Sequence, residues 1–312
     1  MITYAGKGEE ITGFSGSNSV TIGNFDGVHL GHQELIARAR AKSDEVGCKT
    51  LVLSFFPHPL WVICPDKAPP LLTPFHVKKR ILEMYGVDIF VAIEFSREFA
   101  GWTHHRFLEE ILVERLRCVH LVVGPDFRFG KGRAGDIEFL KNNAPFTVEV
   151  VQPVLVRGEP VSSTRIRKLL MDEGDVSLAA ELLGRAYRLS GRVVKGDSRG
   201  HELGFPTANL EPVSRSLVPK RGTYLTRTLL NGEGCYPSVT NIGKNPTFGE
   251  REGLRVETHL IGFDGDLLDK EISVEFIERI RDEMRFGSPE ELVSQIREDV
   301  LYAMRVCEAV HS

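Results

Sequence analysis

Short apolar runs without polar alternation recur along the first part of the chain, at 19–25, 50–56, 87–95, 119–124 and 148–156. Unbroken runs of this length are typical of strands that are covered on both faces. Apolar residues at helical spacing occupy the intervening segments 34–47, 74–86 and 105–116, and glycine closes the first two. The alternation of strands and helices predicts an α/β domain with a Rossmann-like parallel sheet over residues 1–186.

The pattern changes after residue 186. Strand-like segments separated by glycine, proline and asparagine turns follow at 187–196, 222–232, 234–243, 254–263 and 270–281. This spacing predicts a small antiparallel barrel, whose closure removes exposed strand edges. One long helix is predicted over 288–310, with Ser288 as N-cap and Pro289 in its first turn. The second domain is therefore predicted to span residues 187–312.

Composition narrows the class of protein. The 39 basic residues nearly balance the 43 acidic ones, which argues against a protein that coats nucleic acid. No apolar stretch has the length of a membrane span, and the first residues lack a basic-then-apolar signal. The five cysteines are scattered without a CxxC pair, so neither a disulfide framework nor a structural zinc site is expected. We expect a cytoplasmic protein.

The segment GNFDGVHLGHQ follows the first apolar run and carries the first candidate chemistry. His29 and His32 lie where a strand ends and a helix begins, and the carboxyl edge of a parallel sheet is where ligands bind. Glycines at 23, 27 and 31 allow close approach of a ligand, and the helix amides attract an anion. The two imidazoles can donate to phosphate oxygens. Alternatively one histidine caps the helix and the other lies on the surface, whereas zinc lacks a third ligand nearby.

A second helix start with anion-binding chemistry occurs late in the same domain. The segment SSTRIR offers hydroxyls at Ser162, Ser163 and Thr164 and cations at Arg165 and Arg167. A capped helix with a solvated basic face would also explain it. Two such helix starts in one α/β domain favour a triphosphate site over coincidence.

Aromatic residues follow two other predicted strands. The segment SFFPHP places Phe56, Pro57 and Pro59 as a rigid apolar wall for a flat ring. In GPDFRFGKGRAGD, Asp126 and Phe127 lie in a loop rich in glycine and arginine, where aromatic faces can stack on a heterocycle. The basic residues of that loop, Arg128, Lys131 and Arg133, could contact a phosphate. A core position for each phenylalanine is the alternative.

In the second half, GRVVKGDSRGHELGFPTANL carries glycines that allow a loop to wrap around phosphates. Thr207 and Asn209 offer two hard oxygens, which suit Mg²⁺ bound to a nucleotide. A glycine-rich turn before a strand is the structural alternative, and no GxxxxGK[ST] motif is present. In VETHL, strand alternation places Glu257 and His259 on the face opposite Val256, Thr258 and Leu260. Glu257 is a candidate base, but a solvated barrel glutamate is the default explanation from the pattern alone.

Taken together, these motifs resemble a known family. HLGH resembles the HxGH signature of the nucleotidyltransferase superfamily. The strings over 18–185, in this order, resemble the adenylyltransferase half of bacterial bifunctional riboflavin kinase/FAD synthetases. PTAN and VETHL are similar to motifs of the riboflavin kinase family, which uses a small barrel in place of a P-loop. The resemblance implies phosphorylation of riboflavin by ATP to FMN and adenylylation of FMN to FAD, with Mg²⁺ as cofactor.

The resemblance also implies residue roles. Catalysis is assigned to His29, His32, Arg165 and Glu257. ATP binding is assigned to Gly23, Asn24, Phe25, His29, His32, Ser162, Ser163, Thr164, Arg167, Gly191, Lys195, Gly196 and Gly200. Flavin binding is assigned to Phe56, Pro57, Pro59, Asp126, Phe127, Arg281 and Phe286, and metal binding to Thr207 and Asn209. The expected partners are small-molecule substrates, without nucleic acid or membrane, in a monomer or weak homo-oligomer.

The chain departs from the family pattern at four positions. Leu268 and Asp269 stand where a Tyr-Gly pair is usual, His201 replaces a basic residue, and Met284 replaces a polar one. Two other functions remain open at this point. One is a nucleotidyltransferase for another phosphorylated acceptor, such as phosphopantetheine, and the other is a flavin-binding carrier without catalysis.

Overall fold

A computed structural model describes residues 1–12, 14–196, 204–230, 234–244 and 254–310, with the backbone alone at 244 and 307–310. The chain divides into two compact units, Met1–Ser162 and Ser163–Ser312. The domain boundary predicted between residues 186 and 187 stays a prediction.

The first unit contains six strands of one sheet, which are β1 (Ile2–Gly6), β2 (Asn18–Ile22), β3 (Lys49–Phe56), β4 (Ile89–Glu94), β5 (Cys118–Val123) and β6 (Thr147–Val150). Their order is β1-β4-β3-β2-β5-β6, and every neighbouring pair is parallel. The predicted parallel sheet is confirmed. A small hairpin of β7 (Leu155–Val156) and β8 (Glu159–Pro160) follows it.

The helices of this unit are α1 (Leu30–Val46), α2 (Pro59–Ile63), α3 (Phe75–Met84), α4 (Arg97–Ala100), α5 (His104–Arg106) and α6 (Ile137–Asn143). A π-helical segment, Phe107–Arg115, continues α5. Short 3-10 turns occur at Gly8–Glu10, Pro65–Lys67 and Lys131–Arg133. The three helical segments predicted between the strands are therefore present.

Apolar side chains cover both faces of the sheet, because successive residues of a strand point to opposite sides. Leu51 and Leu53 of β3 belong to the core on one face. Val52, between them, packs with Ile36 of α1 and Leu82 of α3 on the other face. Because both faces of the sheet are covered, successive residues of each strand are apolar, and the strands appear in the sequence as unbroken apolar runs.

The run 148–156 does not form one strand. β6 ends at Val150, and Leu155–Val156 belongs to the separate hairpin. Pro153 lies between them and has no N–H to donate to a strand ladder, so the sheet cannot continue through it. β1 was not predicted either. Its residues are half-exposed, and only pairing with β4 makes them a strand.

The second unit begins with α7 (Ser163–Lys168), a π-helical segment Leu169–Glu173, and α8 (Val176–Leu183). Six strands follow, which are β9 (Tyr187–Val194), β10 (Ala208–Pro212), β11 (Gly222–Leu230), β12 (Gly234–Lys244), β13 (Leu254–Leu260) and β14 (Glu271–Arg281). They close an antiparallel barrel in the order β10-β13-β12-β11-β14-β9, as predicted.

The last helix, α9 (Pro289–Val310), packs against the outside of the barrel. Its N-terminus is capped as predicted, because the backbone N–H of Glu291 donates to Ser288 Oγ at 3.3 Å. Ala303 of α9 is buried with Leu225 and Val239 of the barrel wall. This contact fixes α9 beside the strands that carry the second candidate site.

Candidate active sites

The segment 23–29 joins the end of β2 to the start of α1. β2 lies between β3 and β5 in the sheet. The chain continues from β2 through β3 to β4 on one side, and then crosses to β5 and β6 on the other. The carboxyl ends of β2 and β5 therefore bound the crevice at which open α/β sheets bind ligands.

The imidazoles of His29 and His32 lie face to face at this crevice. Their ring centroids are 3.7 Å apart and their planes differ by 18°. His29 is buried and forms the N-cap of α1, and its Nδ1 accepts a hydrogen bond of 3.4 Å from the backbone N–H of His32. The capping role considered for one histidine is thus correct for His29. In neutral His29 this bond leaves the ring proton on Nε2, where it can be donated to another acceptor.

The backbone around the histidines is tightly constrained. A Cβ on Gly31 would lie 3.2 Å from His29 Cε1, so glycine is what leaves room for the imidazole. Phe25 and Val28 are buried and adopt positive φ angles of 47° and 39°. Such angles are strained for residues other than glycine and cluster at functional sites. The ring of Phe25 lies 4.9 Å from that of His32 and supports it.

A buried carboxylate anchors the same loop. Asp26 is 2% exposed and accepts hydrogen bonds from the backbone N–H groups of Leu72, at 3.1 Å, and Thr73, at 2.9 Å. The hydroxyl of Thr73 donates to Asp26 at 3.2 Å and accepts from the N–H of Gly27 at 2.9 Å. These bonds fix residues 72–73 against the loop that carries the predicted ATP contacts.

A buried lysine supports the loop from the other side. Lys78 of α3 is 8% exposed, and its Nζ donates to the carbonyl oxygen of Asn24 at 2.6 Å and to Ser54 Oγ at 3.4 Å. Burial lowers the pKa of Lys78 from 10.5 to about 8, although the carboxylate of Asp26 acts in the opposite direction. Lys78 thus stabilises the backbone of Asn24, a predicted ATP-binding residue, although burial removes the hydration of its own ammonium group.

The predicted flavin-binding residues at the end of β3 lie beside this loop. Phe56 is 48% exposed and packs 5.2 Å from the ring of Phe75. Pro57 and Pro59 flank His58, whose Nε2 lies 3.4 Å from Asn24 Nδ2. A pocket here is lined by Asn24, Asp26, Phe56, His58, Trp61 and Lys78, among others. The fold therefore brings Asn24 and Phe56, which the sequence assigned to ATP and flavin, to one pocket.

The loop after β5 carries the other predicted flavin contacts. Asp126 is exposed, and the ring of Phe127 stacks on that of Phe129 with centroids 5.5 Å apart. Arg128, which was expected to contact a phosphate, pairs with Asp136 at 2.5 Å between Nη1 and Oδ2. Its guanidinium is thus engaged within the loop. The flavin contacts of Asp126 and Phe127 stay predictions.

The predicted helix start at SSTRIR is present, since α7 begins at Ser163. Ser162 ends the first unit, and Ser163, Thr164, Arg165 and Arg167 belong to the second. Ile166 is buried between partly exposed arginines. The contacts of these residues with ATP stay predictions.

In the barrel, a row of polar residues crosses five neighbouring strands. Asn209 of β10 is in register with Glu257 of β13, and Glu257 with Asn241 of β12. Asn241 is in register with Thr223 of β11, and Thr223 with Arg281 of β14. Residues in register share a face of the sheet. The row thus brings together the predicted metal ligand Asn209, the predicted base Glu257 and the predicted flavin contact Arg281.

The alternation predicted for β13 is confirmed. Val256, Thr258 and Leu260 are buried, whereas Glu257 and His259 are half-buried on the opposite face. Thr258 joins a network of buried hydroxyls inside the barrel, and its Oγ1 accepts from Thr240 Oγ1 at 2.9 Å. The interior is thus occupied, and the site lies on the outer face of the wall.

Arg255 connects two of the predicted site residues. Its Nε donates to Asn209 Oδ1 at 2.9 Å, and its Nη2 lies 3.1 Å from Glu257 Oε1. The side chains of Arg255 and Glu257 are 25% and 28% exposed, so the ion pair is partly shielded from water. One guanidinium therefore bridges the amide oxygen of Asn209, a predicted metal ligand, and the carboxylate of Glu257, the predicted base.

Two cavities open on this row of residues. The first, of about 330 Å³, is lined by Thr223, Asn241 and Glu257 of the row and by Leu292 and Ile296 of α9. The second, of about 370 Å³, is lined by Lys195, Gly196 and Asn209, among others. Thr207 lines both cavities. The predicted metal ligand Thr207 thus stands at their common boundary.

Arg281 and Phe286 both line the first cavity, as expected for flavin contacts. The guanidinium of Arg281 donates to the buried carboxylate of Asp299 on α9, at 2.8 Å from Nη2. Its central carbon lies 5.9 Å from the centroid of the Phe286 ring. The ion pair joins β14 to α9 and holds this wall of the cavity in place.

Two glycines that were predicted to bind ATP meet different constraints. A Cβ on Gly196 would lie 2.0 Å from Asn209 Nδ2, so the backbone there lies directly against the amide of Asn209. A Cβ on Gly191 would lie 2.2 Å from the carbonyl oxygen of Glu211 in the paired strand. Gly191 is thus required by strand packing, and its contact with ATP stays a prediction. Gly200 lies outside the described residues.

The oxygen donors of Thr207 and Asn209 fit Mg²⁺. Thr207 offers a hydroxyl and Asn209 an amide oxygen, which are hard ligands, and Mg²⁺ completes its shell with water and nucleotide phosphates. The cationic Nε of Arg255 at 2.9 Å from Asn209 Oδ1 shows that this oxygen accepts positive charge. In the described ranges, no group of three His, Cys, Asp or Glu side chains could hold a metal ion instead.

Sequence reasoning did not identify Asp26, Lys78, Arg255 or Asn241 as site residues. Arg255 stands two residues before Glu257 in a strand, and this period of two could have placed it on the same face. Asn241 opens the segment NIGKNPTFG, which resembles the riboflavin kinase family, but the resemblance assigned it no role. Lys78 carries no such signal, because a lysine in an amphipathic helix is ordinarily solvated.

Comparison with known proteins matches two family models to the chain. The model described as FAD synthetase matches residues 13–165, and the one described as riboflavin kinase matches residues 183–307. A bifunctional riboflavin kinase/FMN adenylyltransferase of Escherichia coli K12 is 41% identical over 288 residues, which is 91% of each chain. One of Bacillus subtilis 168 is 35% identical over 291 residues, covering 92% of this chain and 91% of the relative.

Among solved structures, a crystal structure described as a macrolide-efflux protein from Streptococcus pneumoniae matches with a TM-score of 0.88. It is 31% identical and covers 97% of this chain and 99% of its own. Within the described part of the present chain, none of the helices has the length and apolar character to cross a membrane.

Proposed function

The chain belongs to the family of bifunctional riboflavin kinase/FMN adenylyltransferases, and from this membership we propose that it carries out two consecutive transfers from ATP. The first phosphorylates riboflavin to FMN. The second adenylylates FMN to FAD and releases pyrophosphate. The barrel carries the kinase site, and the parallel-sheet unit carries the histidine site of the adenylyltransferase.

The kinase assignment is carried by one observation, that the two cavities of the barrel share Thr207. ATP occupies the cavity lined by Lys195 and Gly196, and riboflavin occupies the cavity lined by Arg281 and Phe286. The γ-phosphate and the ribityl hydroxyl then meet at the shared wall. Phosphoryl transfer depends mainly on such in-line positioning and on charge stabilisation.

The first cavity suits a flat vitamin. Its volume of about 330 Å³ lies within the range of small-molecule sites, roughly 300–1,000 Å³. Leu292, Ile296 and Val300 of α9 offer an apolar wall for a fused ring, and Phe286 an aromatic one. Two polar residues of the row, Thr223 and Asn241, also line this cavity, and we assign them to the polar edge of the ring and the ribityl chain.

Glu257 acts as the general base. Its carboxylate lines the riboflavin cavity and is in register with Asn209 on the next strand. It accepts the proton of the ribityl 5′-hydroxyl as that oxygen bonds to the γ-phosphorus of ATP. The bond from the γ-phosphorus to the β–γ bridging oxygen breaks, and ADP leaves.

Thr207 and Asn209 would hold Mg²⁺ together with the phosphates of ATP. When bound, the ion neutralises charge that develops on the transferred phosphoryl group. Gly196 leaves room for the Asn209 amide, which lines the cavity assigned to ATP.

In the first unit, ATP binds at the carboxyl end of β2. Gly23 and Asn24 contact the nucleotide, the buried ring of Phe25 supports His32, and His29 and His32 donate to the phosphates. The ATP contacts of the hydroxyls and cations of 162–167, which the family resemblance implies, stay predictions. FMN binds against Phe56, Pro57 and Pro59, with Asp126 and Phe127 as further contacts.

The adenylyl transfer requires no covalent enzyme intermediate. A phosphate oxygen of FMN bonds to the α-phosphorus of ATP, the bond to the α–β bridging oxygen breaks, and pyrophosphate leaves. The histidines and the amides of α1 stabilise the charge that develops at the α-phosphorus. The buried Lys78 and Asp26 keep the nucleotide loop in the shape that this requires.

We further place the protein in the cytoplasm, acting on small molecules as a monomer or weak homo-oligomer, without nucleic acid or membrane. Its near-balanced charge and scattered cysteines support this.

Two sets of variants test the two-site assignment by chromatography of riboflavin, FMN and FAD. His29→Ala should lower FAD formation by about a hundredfold or more, because a positioned donor is lost, while FMN formation continues. Asn209→Ala and Glu257→Gln should stop FMN formation but still make FAD from added FMN.

Matched control variants are His76→Ala on α3 and Glu271→Gln on β14, both at exposed positions. These should retain both activities. If both activities fell together in each site variant while circular dichroism showed native folding, the assignment of two separate sites would be wrong.

A further inference from the structure

Arg255 occupies the position in the barrel at which a metal ion is expected to act. Its guanidinium donates to Asn209 Oδ1 at 2.9 Å and pairs with Glu257 Oε1 at 3.1 Å. It also lines the cavity assigned to riboflavin. The family motifs that pointed to Thr207, Asn209 and Glu257 do not include this residue.

The guanidinium and Mg²⁺ cannot both bind Asn209 Oδ1 closely at low cost. The amide oxygen has a second lone pair, but a divalent and a monovalent cation on the same oxygen repel each other in a site that is partly shielded from water. The short Nε···Oδ1 contact must therefore open when a metal–nucleotide complex binds Asn209.

We propose that Arg255 is a positioning residue of the kinase site, a resident cation that holds Asn209 and Glu257 until Mg²⁺–nucleotide displaces it from Asn209. This inference rests on the proposed kinase function. After displacement, Arg255 retains its ion pair with Glu257 and keeps that carboxylate directed at the riboflavin cavity. Arg255 thus lowers the apparent affinity for the metal complex and raises the rate of phosphorylation.

The test compares the affinity of the barrel site for ADP with Mg²⁺ and with EDTA, by isothermal titration calorimetry of the full-length protein. Binding at the histidine site of the first unit is fitted as a separate class of sites. The ratio of the two affinities isolates the contribution of the metal. In Arg255→Met the ratio should rise, because no cation competes for Asn209. We expect this ratio to rise roughly three- to tenfold. The apparent affinity of the wild type is reduced by such a factor when only a minority of its molecules have Asn209 free of Arg255 and can bind the metal complex. Arg255→Lys keeps the charge but not the two donor nitrogens that bridge Asn209 and Glu257, so its ratio should lie between those of the wild type and Arg255→Met.

Arg192→Met is the matched control. Arg192 lies on β9 of the same barrel, is 61% exposed and pairs with Asp269, and it lines neither cavity. The ratio of its ADP affinities with and without Mg²⁺, and both of its activities, should equal those of the wild type.

In Arg255→Met, riboflavin phosphorylation should fall at least about tenfold, as for a lost positioning contact, while adenylylation of FMN is unchanged.

The outcomes separate the two hypotheses. If Mg²⁺ did not strengthen ADP binding even in the wild type, the metal site itself would be wrong, and with it the role of Arg255. If Mg²⁺ strengthened binding in the wild type and the ratio in Arg255→Met were equal or lower, only the displacement of Arg255 would be refuted. A general loss of structure would weaken ADP binding with and without metal alike, and this result would also count against the proposal.

Discussion

Replacement of Lys78 by methionine removes a buried cation while keeping an unbranched side chain of similar length. Lys78 is 8% exposed and donates to the carbonyl oxygen of Asn24 at 2.6 Å. That carbonyl also accepts from Ser54 Oγ at 3.1 Å, so it keeps a partner in the variant. The substitution therefore tests the charge of Lys78 with little further disruption of the loop.

The effect on stability has a definite sign. Burial lowers the pKa of Lys78 from 10.5 to about 8 in the folded protein. Between these two pH values the unfolded chain binds a proton that the folded protein does not, so the free energy of unfolding rises with pH. The rise amounts to about 2.5 kcal/mol between pH 7 and pH 10, from about 1.4 kcal/mol per unit of pKa difference. This contribution is lost again as pH falls through the folded pKa, and Lys78→Met should not show it.

Urea unfolding followed by tryptophan fluorescence measures this difference. The chain has two tryptophans, Trp61 and Trp102, and both lie in the first unit with Lys78. The fluorescence change therefore reports the unfolding of that unit. The control is Lys79→Met, at the next position of α3, where the side chain is partly exposed.

We expect the difference in free energy of unfolding between wild type and Lys78→Met to grow by about 2.5 kcal/mol from pH 7 to pH 10. The difference between wild type and Lys79→Met should stay constant. Parallel pH profiles for wild type and Lys78→Met would refute the argument that Lys78 is a desolvated cation in the folded protein.

Three further predictions follow from single contacts. Gly31→Ala places a Cβ 3.2 Å from His29 Cε1 and should lower adenylylation of FMN by about tenfold without changing riboflavin phosphorylation, both measured by chromatography. Gly196→Ala places a Cβ 2.0 Å from Asn209 Nδ2 and should have the opposite selectivity in the same assay. Burial lowers the pKa of His120 below its usual 6.5, although the carboxylate of Glu149 acts in the opposite direction. As pH falls, the unfolded chain therefore binds a proton before the folded protein does. The free energy of unfolding of the first unit should thus decrease below about pH 6.5. His120→Asn should lose less over the same range by tryptophan fluorescence, and an identical loss would contradict this account.

Local patterns in the sequence were sufficient to predict the elements and their class. Apolar runs such as 50–56 predicted strands buried on both faces, and the structure places β3 in the middle of a parallel sheet. Turn residues at short intervals after residue 186 predicted antiparallel strands, and these close a barrel. Two motifs, HLGH after the carboxyl end of β2 and PTAN at the start of β10, pointed to the two candidate sites.

The failures of sequence reasoning lie where neighbours along the chain do not decide the structure. β1 is a strand because it pairs with β4, more than 80 residues away in the chain. Lys78 is indistinguishable in the sequence from a solvated lysine, and only the packing of α3 against β3 and the loop after β2 buries it. The run 148–156 is a different case, because Pro153 interrupts it. Proline has no N–H for a strand ladder, and this local signal outweighs the apolar pattern.

The sequence by itself determined which segments are strands and helices and which residue types stand at their ends, since both follow from short-range periodicity and local capping chemistry. Only the tertiary structure decided that β5 lies beside β2, and that Asn209, Glu257 and Arg281 fall in one row of the barrel. Strand order and register depend on how the whole core is packed, and no local period specifies which distant strand is the partner.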